Sequence, residues 1–102
     1  MEELSGFQRD LLYIILDAGK PSGQEVNSII NEEYKNEVNH GRLYPNLDDL
    51  VEMGLIIKGD KDDRTNYYQI TQKGKDKIVK RHHWTNERID NTSVRDDLMS
   101  PV

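Results

Sequence analysis

Apolar residues along residues 5–18 recur at helical rather than strand spacing, with Phe7, Leu11, Leu12, Ile14 and Ile15 along one face. Ser5 stands where an N-cap belongs. Tyr13 and Leu16 widen the stripe beyond one face, so this helix is expected to be covered by two neighbours. The segment from Asp17 to Lys20 and the Pro21-Ser22-Gly23 run then break the chain. A second helix is predicted from Gly23 to Lys35, capped by Ser22 and buried through Val26, Ile29 and Ile30, with Asn27, Asn31, Glu32 and Glu33 outward. A polar turn of Asn36, Glu37, Val38 and Asn39 leads to a third helix from His40 to Met53. Leu43, Leu47, Leu50 and Val51 mark its buried face, and Gly54 is its natural stop. Pro45 lies early in it, where some backbone donors are unpaired anyway.

The period then changes. Leu55–Gly59 and Thr65–Ile70 read as strands on either side of a charged loop, Asp60-Lys61-Asp62-Asp63-Arg64. A two-stranded hairpin is not stable alone, so its apolar side must lie on the helices. Three short helices, the last two joined by a tight turn, followed by a hairpin, predict a winged helix-turn-helix. Thr71 caps a last helix over Gln72–Asp90, weakened at its start by Gly74. Ile78, His82, Thr85 and Ile89 form a heptad-like stripe there, too thin to be the core of one chain but suited to a two-fold helix pair. Residues 91–102 show no periodicity and are expected to be an unstructured tail. The fold class is thus mostly α with a β-hairpin wing. A DNA-binding domain of the winged type is expected over 1–70, a C-terminal dimerisation helix over 71–90 and a tail over 91–102.

Composition narrows the function. The chain has 102 residues, 34% of them apolar and 32% charged, enough for one small domain with a thin core. A core that thin favours association with a second copy. The absence of cysteine removes disulfides, thiolate zinc sites and thiol nucleophiles. No apolar run approaches the ~18–20 residues needed to span a bilayer, and Met-Glu-Glu is no signal peptide, so a cytoplasmic location and no membrane partner are expected. A net charge of −5 argues against coating nucleic acid by bulk charge. The charge is uneven, however. Lys73, Lys75, Lys77, Lys80, Arg81 and Arg88 against Asp76 and Glu87 make residues 73–88 basic, either a solvated helix face or a contact for a polyanion. An acidic surface also suits a salty cytoplasm. His83 and Glu87 lie four apart, but two exposed side chains without further ligands are a weak metal signal, and no metal or cofactor is expected. With no glycine-rich phosphate loop and no Ser/His/Asp set within reach of one another, enzyme activity is not expected.

Gly41-Arg42-Leu43-Tyr44-Pro45-Asn46-Leu47, then Leu50, Gly54-Leu55-Ile56, Arg64, Tyr67 or Tyr68, Thr71 and Gly74 resemble the PadR family of transcriptional regulators. With His40 preceding and Asp63-Arg64-Thr65-Asn66-Tyr67-Tyr68 following, the version here is most similar to small archaeal, especially haloarchaeal, members. The resemblance spans about residues 4–90. It implies a winged-helix domain, a dimer through the last helix, and operator binding as a homodimer. Many members carry two or more basic residues at the end of the wing loop, where this chain has Asp62 and Asp63 before a lone Arg64. Its single last helix argues against an elaborate effector domain.

On a helical wheel, Arg42 and Asn46 fall four apart on the outward side of the third helix, near its start, where recognition helices reach base edges. Arg pairs with guanine O6 and N7, and Asn with adenine N6 and N7. Asn39 and His40 are placed to bond phosphate, and Tyr44 to be half-packed with its hydroxyl near the DNA backbone. Arg64, with Lys61 and Thr65, would bring the wing to a narrow minor groove, the alternative being an ion pair within the loop. Ser22 and Gln24 are phosphate candidates at a helix N-terminus. The dimer surface is expected to draw on Leu4, Phe7, Leu11, Ile78, His82, Trp84, Thr85 and Ile89. The leading reading is a sequence-specific regulator, most simply a repressor, binding double-stranded DNA with a recognition helix at about 40–53 and a wing at about 60–65. Two alternatives remain: a winged-helix module that binds protein through its acidic face, and a regulator gated by a small planar ligand at the dimer seam.

Overall fold

The computed structural model describes residues 3–35, 37–60 and 62–99. Five helices and one hairpin follow in the order α1 (Gly6–Ala18), α2 (Gly23–Tyr34), α3 (His40–Glu52), β1 (Ile56–Asp60), β2 (Asn66–Ile70), α4 (Gln72–Asp90) and α5 (Val94–Met99). α1 and α2 begin with reciprocal capping boxes. The Ser5 and Ser22 hydroxyls accept from the backbone of Gln8 and Glu25, whose side chains return to the cap N–H groups. Asn39 caps α3 by accepting from the Arg42 N–H. Lys35 leaves α2 through a left-handed conformation, φ 54°. Thr71 caps α4.

The end of α3 is fixed from both sides. Gly54, at φ 77°, lets its N–H reach Val51 O at 2.9 Å while the Leu55 N–H reaches Leu50 O at 3.0 Å, the paired bonds of a Schellman stop. The start of α4 supplies donors to the same turn, the Thr71 hydroxyl to Gly54 O (2.7 Å) and the Lys73 ammonium to Met53 O (2.8 Å). Gly74 sits where α4 crosses this turn. A Cβ there would collide with the Leu55 carbonyl and lie 2.7 Å from Ile70 Cγ1, so the glycine that weakens the helix start is required by close approach.

One core joins these elements: Leu11, Leu12 and Ile15 of α1, Val26 and Ile30 of α2, Leu43, Leu47 and Leu50 of α3, and Leu55, Ile56 and Tyr68 around the hairpin. β1 and β2 pair antiparallel with Ile56 opposite Ile70 and Asp60 opposite Asn66. The hairpin is held down as well as buried. Tyr68 N–H donates to Pro21 O at 2.9 Å, and Ser22 forms a bridge to Tyr67, so the α1–α2 connection acts as a short third strand. The start of α4 packs on α1, and the molecule extends 51 × 31 × 21 Å.

Several sequence expectations are corrected. Ile29 is 40% exposed; α1 is covered by α2, α3, α4 and β2, more than the two neighbours expected, yet Tyr13 and Leu16 remain exposed to the same degree as Ile29. Asn31 does not face outward; its Oδ1 accepts from the Val38 N–H at 2.6 Å and holds the α2–α3 turn against the core. Residues 94–99 are helical instead of an unstructured tail, although the exposure of Val94 and Leu98 explains why no core pattern marks them. Asn36 and residues 100–102, parts of the expected turn and tail, lie outside the described residues.

Candidate nucleic-acid interface

α3 presents different chemistry around its circumference. Leu43, Leu47 and Leu50 enter the core. His40 and Tyr44 lie toward α2, their rings edge to face at 5.4 Å, with Tyr44 half-buried against Gly23. Arg42 and Asn46 lie toward the start of α1. Gly41, Pro45, Asp48, Asp49 and Glu52 are exposed. Cationic and neutral groups therefore cluster at the N-terminal half of α3, and carboxylates at its C-terminal half.

Arg42 and Asn46 do not simply project into solvent. The Arg42 guanidinium lies 4.0 Å from the centre of the Phe7 ring and 5.8 Å from that of Tyr34. These rings meet edge to face at 5.9 Å, and the Tyr34 hydroxyl donates to Asp10 Oδ2 at 2.6 Å. That bond, more than burial, raises the Tyr34 pKa, since ionising the phenol would set it against the carboxylate. Asn46 receives a hydrogen bond from Gln8 Nε2 at 3.1 Å and donates from Nδ2 to Arg42 O at 2.7 Å. Arg42 remains exposed on its aromatic seat, whereas Asn46 is half-buried with both polar ends engaged.

In the wing loop the Asp62 carboxylate accepts from the backbone N–H groups of Arg64 and Thr65, both at 2.8 Å. This turn shapes the tip and leaves Arg64 exposed beside Asp63, with Thr65 half-buried. Lys61, the other wing cation, lies outside the described residues. Ser22 is 8% exposed and its hydroxyl is engaged in capping, so it presents little to a phosphate, while Gln24 beside it is exposed. Asn39 is exposed, with its side-chain oxygen on the Arg42 N–H. Burial raises the Tyr68 phenol at the base of the wing to a pKa of about 12.

The expected dimer residues divide. Leu4, Phe7 and Leu11 are 6%, 6% and 0% exposed within a single chain, so they are core and have no surface to offer a partner. Ile78 is also buried at 7%. Thr85 and Ile89 are half-buried, and His82 and Trp84 exposed. Trp84 lies ~120° around α4 from the 78–82–85–89 stripe, at 100° per residue. It shares its face with Lys73, Lys77, Lys80, Arg81 and Arg88, and its ring has the Arg81 and Arg88 guanidinium groups at 4.6 and 4.9 Å. Besides Trp84, the exposed large apolar residues among those described are Tyr13 and Leu16 of α1, Ile29 of α2, Ile57 of β1, Val79 of α4 and Val94 and Leu98 of α5.

Sequence reasoning also missed Gln8, Phe7 and Tyr34 as partners of α3. Ser5-x-x-Gln8 is legible as a capping box, but a contact 38 residues away leaves no periodic trace. Among the described residues no group of His, Asp and Glu is placed to hold a metal ion, and no helix is long and apolar enough to cross a membrane.

The architecture recurs in solved structures. The chain superposes on H. salinarum RosR, grown from NaBr, with a TM-score of 0.87 and 38% identity, covering 96% of this chain and 88% of that one. A complex of the same protein, hsRosR-S1, gives a TM-score of 0.85 at 38% identity over 94% of this chain and 85% of the other. Streptococcus pneumoniae FabT in complex with DNA shares the fold, with a TM-score of 0.65, 21% identity, and 95% and 68% of the two chains covered. No curated protein sequence matches the chain. Residues 11–80, from the middle of α1 into α4, match the family model of PadR-like transcriptional regulators. The chain belongs to the PadR-like family of transcriptional regulators, a winged-helix family.

Proposed function

We propose that the protein is a sequence-specific repressor that binds a pseudo-palindromic operator in double-stranded DNA as a homodimer. The observation that carries this reading is the placement of two exposed cations. Arg42 stands at the start of α3 and Arg64 at the wing tip, the two places where a winged helix meets a duplex. Arg42 and Asn46 are the base-reading candidates and Arg64 enters the minor groove, with Thr65 and Lys61 as further wing contacts. His40, Asn39, Tyr44 and Gln24 line the approach to the phosphates. The net-negative body repels DNA out of register, so affinity depends on these contacts and non-specific binding is weak.

Dimerisation uses α4. His82, Thr85 and Ile89 pair across a two-fold axis, and Tyr13 and Leu16 of α1 offer the further apolar surface that one chain leaves open. Two heads so joined address half-sites about one helical turn apart. A cytoplasmic location follows from this role.

The exposed carboxylates Asp48, Asp49 and Glu52 favour a second reading, a module that binds a basic protein with little DNA affinity. Salt and one variant separate the two. A DNA complex loses affinity steeply as salt rises and weakens with Arg42→Ala. A flat salt response and an indifferent Arg42→Ala variant would support the protein-binding module. A planar effector is a third reading, favoured only by the 48% exposure of Trp84, which lies off the 78–82–85–89 stripe; quenching of its fluorescence by planar compounds tests it.

A further inference from the structure

We infer that Gln8 is a positioning residue that fixes how Asn46 of the recognition helix presents its carboxamide, and so contributes to base preference without touching DNA. The inference rests on the DNA reading above, and names a residue outside the DNA-facing surface on which that reading depends.

Hydrogen-bond polarity fixes the orientation of both amides. The Ser5 backbone N–H is a donor only, and it bonds Gln8 Oε1 at 3.1 Å. The other end of the Gln8 amide is therefore Nε2, a donor only, and it points 3.1 Å from the Asn46 side chain. That atom of Asn46 must accept, so it is Oδ1. The remaining Asn46 atom, Nδ2, then faces the Arg42 carbonyl, an acceptor only, at 2.7 Å. A donor at one end and an acceptor at the other leave a single consistent orientation for both amides. Gln8 is 8% exposed, so water does not easily replace its bonds.

The relay has a consequence for recognition. An unanchored Asn flips its amide at little cost and can offer donor and acceptor in either order to a base edge. Here Oδ1 is held toward α1 and Nδ2 along α3, and only the second lone pair and the second N–H remain to face outward. The capping box that starts α1 thus also sets the polarity of a side chain on α3.

Gln8→Glu separates the two duties of this side chain. A glutamate still accepts from the Ser5 N–H, keeping the cap, but cannot donate to Asn46. The full-length wild-type, Gln8→Glu, Asn46→Ala and doubly substituted chains would be tested on duplexes selected by the wild type from a random pool, with each base pair replaced in turn. Asn46 side-chain amide signals would be followed by nitrogen-15 NMR. The expected result is a loss of at least fivefold in preference at one base pair per half-site, at the same pair for Gln8→Glu and Asn46→Ala. The double variant should add nothing, the salt slope should be unchanged, and the Asn46 amide signals should move in Gln8→Glu. A Gln8→Glu chain that keeps wild-type preference at the pair Asn46→Ala relaxes, or whose Asn46 signals stay in place, would overturn the assignment. Failure of the wild type to select any sequence would instead overturn the DNA reading and the specificity role together, with the NMR signals still reporting whether the relay forms.

Discussion

The Arg42 guanidinium rests 4.0 Å above the ring of Phe7, so a residue at the start of α3 is seated on the first turn of α1. The aromatic face restrains a long side chain before any DNA arrives, which lowers the ordering cost of a base contact. Arg42→Ala should weaken specific DNA binding by about 1–3 kcal/mol, and change unfolding free energy by less than about 1 kcal/mol because the stack is exposed. Arg42→Lys keeps the charge without the planar fork, so it should preserve the salt slope while relaxing base preference. Titrations at several salt concentrations, with thermal melts of both variants, check the pair of effects.

Gly74→Ala should destabilise the fold although alanine is the better helix former. Helix propensity gains about 1 kcal/mol, but a Cβ driven into the Leu55 carbonyl and Ile70 forces α4 off the α3–β1 turn, and such overpacking costs about 1–3 kcal/mol. The net expectation is a lower melting temperature by several degrees, measured by circular dichroism. An unchanged or raised value would mean that α4 does not cross the turn this closely.

Alkaline stability should fall in a window set by Tyr68. Its phenol ionises near 10 in the unfolded chain and at about 12 in the folded one. The folded state holds the proton more tightly, so the contribution is fully present below pH 10 and is lost as pH rises through 12, at up to ~1.4 kcal/mol per pH unit. Tyr34, raised by Asp10, acts in the same direction. Tyr68→Phe should flatten the decline, as followed by urea unfolding between pH 9 and 12.

Self-association should depend on the outer half of α4. Ile89→Asp places a charge on the stripe with His82 and Thr85 without disturbing the core, because Ile89 is only half-buried within the chain. Sedimentation should show a wild-type dimer and a monomeric variant with unchanged helical content. A variant that remains dimeric would move the interface to another face, the one bearing Trp84 being the next candidate.

The elements were largely legible because caps and periodicity are local. Ser5, Ser22 and Thr71 cap their helices where the sequence places them, and Gly54 ends α3 as expected. The PadR-like resemblance rested on one contiguous motif and its spacing to the wing, and the family match confirms it. The candidate site was less legible, since its geometry depends on contacts between distant residues. A wheel places Arg42 and Asn46 on one outward side, but it contains no information that Phe7 and Gln8 reach across from α1. An apolar stripe shows that a face is covered, not by what: Leu4, Phe7 and Leu11, expected at a partner surface, are buried within the single chain. Gly74 reads as a defect until the Leu55 carbonyl is seen against it.

The central claim, that this acidic chain reads a DNA sequence as a two-headed dimer, is tested most directly by selecting duplexes from a random pool with the full-length protein at moderate salt. The account predicts enrichment of one two-fold-symmetric sequence with half-sites about one helical turn apart. A pool that stays random after repeated rounds, or that enriches a single asymmetric site, would contradict it.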